Sequence, residues 1–189
     1  SEIGLDFNTT LRSILRQDPN IIMIGEIRDD ETARIAVRAS ITGHLVLSTI
    51  HTNNSLNTIE RLLDMDVERY LLGSALTAII SQRLVKKLCP KCRKSRPTTN
   101  YEKNLFKKVL NIDVPAIYEA QGCDECFDGY KGRVALHEVL LLNQDIRDAI
   151  INNAKKEDLR NLVYNKDNTK TLLEDGLLKV INGLTSIEE

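Results

Sequence analysis

Three groups of residues in this 189-residue chain have the types and spacing to do chemistry. The first is Asp18-Pro19-Asn20-Ile21-Ile22-Met23-Ile24-Gly25-Glu26-Ile27-Arg28-Asp29, an apolar run followed closely by acids. A carboxylate just beyond a buried parallel strand can serve Mg²⁺ and the water that attacks a phosphate. Gly25 would let water or metal approach the backbone, and Glu26 is the first carboxylate past the run. The alternative is a strand-end turn with a solvated glutamate. The second group is Thr42-Gly43-His44-Leu45-Val46-Leu47-Ser48-Thr49-Ile50-His51-Thr52-Asn53. Its far end gathers hydroxyl, imidazole and amide groups, and His51 has the donor to meet a γ-phosphate oxygen. His44 opens the run, ~20 Å from the other end if the strand is straight. A structural or interface role suits His44 better.

The third group is Cys89-Pro90-Lys91-Cys92 and Cys123-Asp124-Glu125-Cys126, which contain all four cysteines. Two C-x-x-C pairs supply four thiolates, the set that closes a tetrahedral structural Zn²⁺ site and leaves no position for a catalytic water. A redox dithiol is the competing reading, and the second pair weakens it.

The elements that must position these groups follow from hydrophobic spacing. Ile21–Ile24 reads as a strand buried on both faces. Asp29 and Asp30 start a helix through Ala33, Ala36, Val37 and Ile41, with Gly43 at its C-terminal cap. Leu45–Ile50 is the next strand. Strand, helix and strand over about 30 residues make a βαβ unit with parallel strands, so Glu26 and the Ser48–Asn53 cluster converge beyond one edge of the sheet. Thr9 or Thr10 is expected to cap a helix through Leu11, Ile14 and Leu15, and Ser55 one through Ile59, Leu62 and Leu63. A helix is expected from about Glu68 to Ile80, and strands over Arg83–Leu88 and Val134–Leu142. A helical tail follows, with Ile146, Ile150, Leu159, Leu162, Leu172, Leu177, Leu178 and Ile181 as core candidates and Gly183 at its end.

Composition divides the chain into 1–88, a partial α/β core; 89–130, a Lys-, Pro-, Thr- and Asn-rich cysteine subdomain; and 131–189, a strand plus a C-terminal helical region. With 42% hydrophobic and 28% charged residues it reads as a soluble globular protein. A net charge of −1, 4% aromatic residues and no Trp argue against nucleic acid as the main partner. The stretch Leu71–Ile80 is well short of the ~20 apolar residues that span a bilayer. No export signal is evident, so the cysteines suit metal in a reducing compartment. The chain opens at Ser1 partway through what reads as a structured unit, so it is taken as a piece of a longer protein.

Several motifs, in order, resemble one family. The Asp18–Asp29 segment is similar to the Walker B motif of the type II secretion and type IV pilus ATPases. Thr42–Asn53 resembles that family's His box, G-H-x-V-x-S-T-x-H-T-N. Upstream, Gly4-Leu5-Asp6-Phe7 and Leu11-Arg12-x-x-Leu15-Arg16-Gln17-Asp18-Pro19 fit the same template. Ser81-Gln82-Arg83-Leu84-Val85 and Gly129-Tyr130-x-Gly132-Arg133 with Glu138 do so downstream.

The resemblance implies the C-terminal part of a RecA-like P-loop ATPase core. Such cores assemble as a ring, usually a hexamer, on the cytoplasmic inner face of the membrane, against an inner-membrane platform protein. It implies ATP and Mg²⁺ as ligands of the parent and Zn²⁺ at the cysteines. Glu26 becomes the Walker B glutamate and His51 the residue near the γ-phosphate. Arg12, Arg16, Gly25, Arg28, His44, Ser48 and Thr49 become nucleotide-site or interface candidates. No G-x-x-x-x-G-K-[ST] occurs in the 189 residues; the resemblance places that loop N-terminal to Gly4. The expected function is part of a motor for pilus assembly or protein secretion, inactive on its own. The other reading is a zinc-stabilised module that docks on a platform protein or nucleic acid.

Overall fold

A computed structural model describes residues 7–164 and 169–189, excluding the side chains of Phe7 and Asn8. The Gly4-Leu5-Asp6 part of the upstream motif lies outside the described residues. The first elements are α1 (Phe7–Leu15), β1 (Ile21–Ile24), α2 (Asp30–Ile41), β2 (Leu45–Ser48), α3 (Ser55–Asp64), α4 (Arg69–Ala75) and β3 (Ala78–Leu88). There follow β4 (Lys94–Pro97), α5 (Asn100–Leu110), β5 (Ala116–Glu119), β6 (Tyr130–Leu141), α6 (Gln144–Ile151), α7 (Lys156–Val163) and α8 (Leu172–Ile181).

These elements form two compact units. Ser1–Ile79 joins Val139–Thr169 in the first, and Ile80–Glu138 joins Lys170–Glu189 in the second. The changes of composition at 88 and 130 mark the end of β3 and the start of β6. The compact units instead divide those two strands near their other ends.

In the first unit β1 and β2 pair in parallel, Ile21 beside Leu45 and Ile24 beside Ser48, with α2 as the crossover. Asp29 caps α2, its Oδ1 accepting from the Thr32 N–H at 2.8 Å. At the other end Gly43 adopts φ 104°, and its N–H and that of His44 return to the carbonyls of Ser40 and Ala39. That is a Schellman stop, which a glycine makes without strain. Leu11, Ile22, Ile24, Ala36 and Ala39 form a small core beneath β1. A larger one gathers Ala33, Ile59, Leu72, Leu140, Ile146, Ile150 and Val163. Full burial of each large aliphatic side chain contributes about 2 kcal/mol.

The strand Ile21–Ile24 is not buried on both faces, as its continuous apolar run suggested. Ile22 and Ile24 are buried, while Ile21 and Met23 are 62% and 77% exposed. Within this chain α1 and α2 cover one side of β1, and the pleat sends alternate side chains to the other. Other expectations also shift. Thr9 and Thr10 lie inside α1, and Asn54, not Ser55, caps α3. The expected helix to Ile80 stops at Ala75. Leu76 turns extended at ψ 127°, and Ile79 and Ile80 are β-branched residues that suit the strand β3 instead. The strand expected over Arg83–Leu88 thus starts at Ala78, and that over Val134–Leu142 runs Tyr130–Leu141. Of the tail's core candidates, Ile146, Ile150, Leu159 and Leu177 are buried; Leu162, Leu172, Leu178 and Ile181 are half-buried. Ile41 is exposed.

The second unit contains most of the paired β3–β6 ribbon and the antiparallel β4–β5 pair, whose strands are connected through α5. Its core is Phe106, Val114, Ile117, Leu177 and Val180. Glu102 of α5 serves twice there. It closes a capping box with Thr99, and it receives Arg96 through Nη1 and Nη2 at 2.9 and 2.7 Å. Gly183, at φ 64°, ends α8 as expected. Among the described residues no helix is long and apolar enough to cross a membrane.

Candidate functional site

The two strand ends stay paired beyond β1 and β2. The Ile27 N–H donates to the Thr49 carbonyl at 2.8 Å, and Thr49 Oγ1 donates to the Gly25 carbonyl at 2.6 Å. These bonds flank Glu26 on both sides and fix its backbone opposite the His51 segment. His51 Nε2 then donates to Glu26 Oε2 at 3.2 Å, and Arg28 Nη2 lies 2.5 Å from Oε1. The Arg28 guanidinium holds the Glu26 carboxyl below its ordinary range, with His51 adding to it and desolvation opposing.

Gly25, Glu26, Arg28, Thr49 and His51 are therefore one cluster. Gly25 has no atom within 4 Å of the place a Cβ would take, so the space beside it is open. Ser48 ends β2 and its Oγ donates to the Thr49 carbonyl at 3.3 Å.

The remaining candidates stand apart. His44 Nδ1 donates to the Ala39 carbonyl at 3.0 Å, which makes it part of the α2 C-terminal stop. Arg12 pairs with Glu31 at 2.6 Å on the wall of an open cavity of about 810 Å³, shared with Arg34, Arg38 and Glu68. No pattern in the sequence announced that cavity, because its walls come from α1, α2 and the α3–α4 connection. Arg16 follows α1 as an exposed residue, its N–H returning to Ser13. Thr52 was read only as part of the polar strand end. It shares a 2.7 Å hydroxyl contact with Thr58, which ties the loop after His51 to α3.

In the second unit the four cysteine sulfurs lie within 4.8 Å of one another. Cys89 and Cys123 are 4.0 Å apart, Cys92 and Cys126 3.6 Å, and Cys123 and Cys126 3.5 Å. A tetrahedral site with Zn–S bonds of ~2.3 Å has edges of about 3.8 Å, so the spacing fits. The donors are all thiols, the soft set that suits such a metal. The Lys91 backbone N–H draws Cys89 down to about 7. Cys123 feels the Glu125 N–H in the same sense, but the neighbouring sulfurs, with some desolvation, push it up to about 12. One thiolate forms readily and then opposes the next, a conflict that a bound cation relieves.

All 189 residues match the Type II/IV secretion system protein family. The chain belongs to that family. It is 46% identical over 190 residues to a putative type II secretion system protein E of Escherichia coli K12, covering 100% of this chain and 38% of that one. It is 43% identical to the type IV pilus assembly ATPase PilB of Thermus thermophilus, covering 100% of this chain and 21% of the relative. The solved pilus retraction motor PilT with bound ADP superposes with a TM-score of 0.65 at 31% identity, over 97% of this chain and 42% of that one. The Legionella pneumophila ATPase DotB gives 0.66 at 24% identity, a likeness of fold. The chain thus spans less than half the length of these relatives. Its fold is the α/β fold of the C-terminal part of the secretion ATPases, with a tetracysteine cluster.

Proposed function

We propose that this chain supplies one side of the ATP-hydrolysis site of a motor ATPase for type IV pilus assembly or type II secretion. The observation that carries this is the Glu26–His51 contact at 3.2 Å, held beyond the ends of paired parallel strands. In this reading Glu26 takes a proton from the attacking water through its carboxylate. His51 donates its ring N–H to a γ-phosphate oxygen, and Gly25 leaves room beside the base. ATP and Mg²⁺ belong to the longer protein, whose phosphate-binding loop comes from outside these 189 residues, so the chain by itself does not turn over. Arg12 and Arg16, away from Glu26, suit contacts between subunits of a hexameric ring.

The division into a partial core over 1–88, a zinc subdomain over 89–130 and a helical region over 131–189 belongs to the same reading. Cys89, Cys92, Cys123 and Cys126 would hold Zn²⁺, which supplies a cross-link and no reactive position. The protein would act at the cytoplasmic face of the inner membrane against a platform protein. The test is Glu26→Gln in the full-length protein, with nucleotide binding and turnover measured side by side. Binding should persist while turnover falls; retained turnover would falsify the role given to Glu26.

A further inference from the structure

We propose that Arg28 is a latch: it covers the Glu26 carboxylate until a nucleoside triphosphate arrives and then moves onto one of its phosphates. The proposal rests on the reading of Glu26 as the base. A base needs a free carboxylate oxygen facing the water, yet both oxygens of Glu26 are engaged, Oε1 by Arg28 and Oε2 by His51. What covers Glu26 is more exposed than Glu26 itself. The Glu26 side chain is 33% exposed and its backbone is clamped on either side by the Ile27–Thr49 and Thr49–Gly25 hydrogen bonds. Arg28 is 72% exposed and His51 86%. An exposed ion pair is shallow and exchanges readily.

The local alternatives for Arg28 point the same way. Its neighbour Asp29 is committed to α2, with Oδ1 accepting from the Thr32 N–H and Oδ2 from the Thr32 hydroxyl. A guanidinium released from Glu26 therefore meets no free carboxylate in its own segment. A phosphate entering beside Gly25 offers a dianionic, fork-shaped partner that outcompetes one carboxylate. Substrate arrival and exposure of the base are then one event.

The test compares wild type, Arg28→Ala and Arg28→Lys in the full-length protein by pH profiles of kcat and kcat/KM for ATP. The kcat/KM profile reports the free enzyme and the kcat profile the complex. In Arg28→Ala the acid limb of kcat/KM should move to higher pH, while that of kcat stays where it was. KM for ATP should rise about tenfold or more with the loss of a charged phosphate contact. Arg28→Lys should show a smaller shift of the same limb. Movement of both limbs together, or of neither, overturns the latch, as does an unchanged KM. Glu26→Gln run in parallel separates the two ideas. If that variant still turns over, the assignment of the base fails; if it is inactive and the limbs misbehave, the latch alone fails.

Discussion

The Glu26 cluster keeps its reactive groups in the open, with His51 86% exposed, whereas the cysteine cluster draws four sulfurs together within 4.8 Å, from a buried Cys89 to an exposed Cys123. Both are built from residues far apart in sequence and fixed by backbone hydrogen bonds. They differ in what they lack. The cysteine cluster has every donor that a tetrahedral ion needs within one unit. The strand-end cluster has a carboxylate and two donors, but the motif that cradles phosphates is not in this sequence. A closed site can be judged from its own geometry, and an open one only by what arrives. On the function proposed above, the first serves stability and the second turnover.

Perturbing each region in turn tests that contrast. The largest effect belongs to Glu26→Gln in the full-length protein, where turnover should fall about 10²- to 10⁴-fold. Its melting curve should match that of the wild type; a large loss of stability would dissolve the contrast. Next, Cys92→Ser should release most of a stoichiometry of about one zinc per chain. It should also lower the melting temperature of the second unit, whose apolar core is small. Zinc analysis and calorimetry read both, and a metal-free wild type that melts unchanged with a chelator would remove the metal from the account.

A smaller effect is expected at Glu102, whose carboxyl Arg96 pulls down to about 2, with burial opposing and Thr99 assisting. Its folded value lies below its unfolded one. The stability it lends is present above about 4.5 and is lost as pH falls towards 2. Glu102→Gln should cost about 1–3 kcal/mol at neutral pH by removing the charge that faces Arg96 Nη1 and Nη2, with Glu119 left at Nε. It should also flatten the acid limb of stability measured by urea titration. The smallest effect is Thr49→Val, which deletes the bond to the Gly25 carbonyl. It should cost about 1 kcal/mol in stability, with a greater proportional loss in turnover if the clamp positions Glu26.

Much of the first unit was legible because its signals are local. The Ile21–Ile24 run, the Asp29 cap, the Gly43 stop and the Leu45–Ile50 run, of which Leu45–Ser48 forms β2, lie within one βαβ stretch, and each announces its own element. The pairing of Glu26 with His51 follows from that topology. Their contact does not, because it depends on the Thr49 hydroxyl reaching across to Gly25. The segment 76–82 misled because Leu71–Ile80 is the most apolar stretch of the chain, and such a run does not distinguish helix from strand. In the second unit Thr99-Asn100-Tyr101-Glu102 carries a capping-box pattern that marks the start of α5. Lysine-rich surroundings hid it. The use of Leu177 and Val180 against Phe106 is a distant pairing with no local mark at all.

That distant pairing limits how the cysteine-bearing unit can be moved. Because α8 completes its core, the unit is not a cassette that one cut at each end would free. Residues 80–138 taken alone would leave Phe106 and Ile117 without the lid that 170–189 provides. A graft onto another scaffold must carry both stretches, or a permuted gene must splice 170–189 next to 80–138. A lineage that discarded the cysteines by one internal deletion would keep an orphaned tail helix, and its apolar face would need new cover.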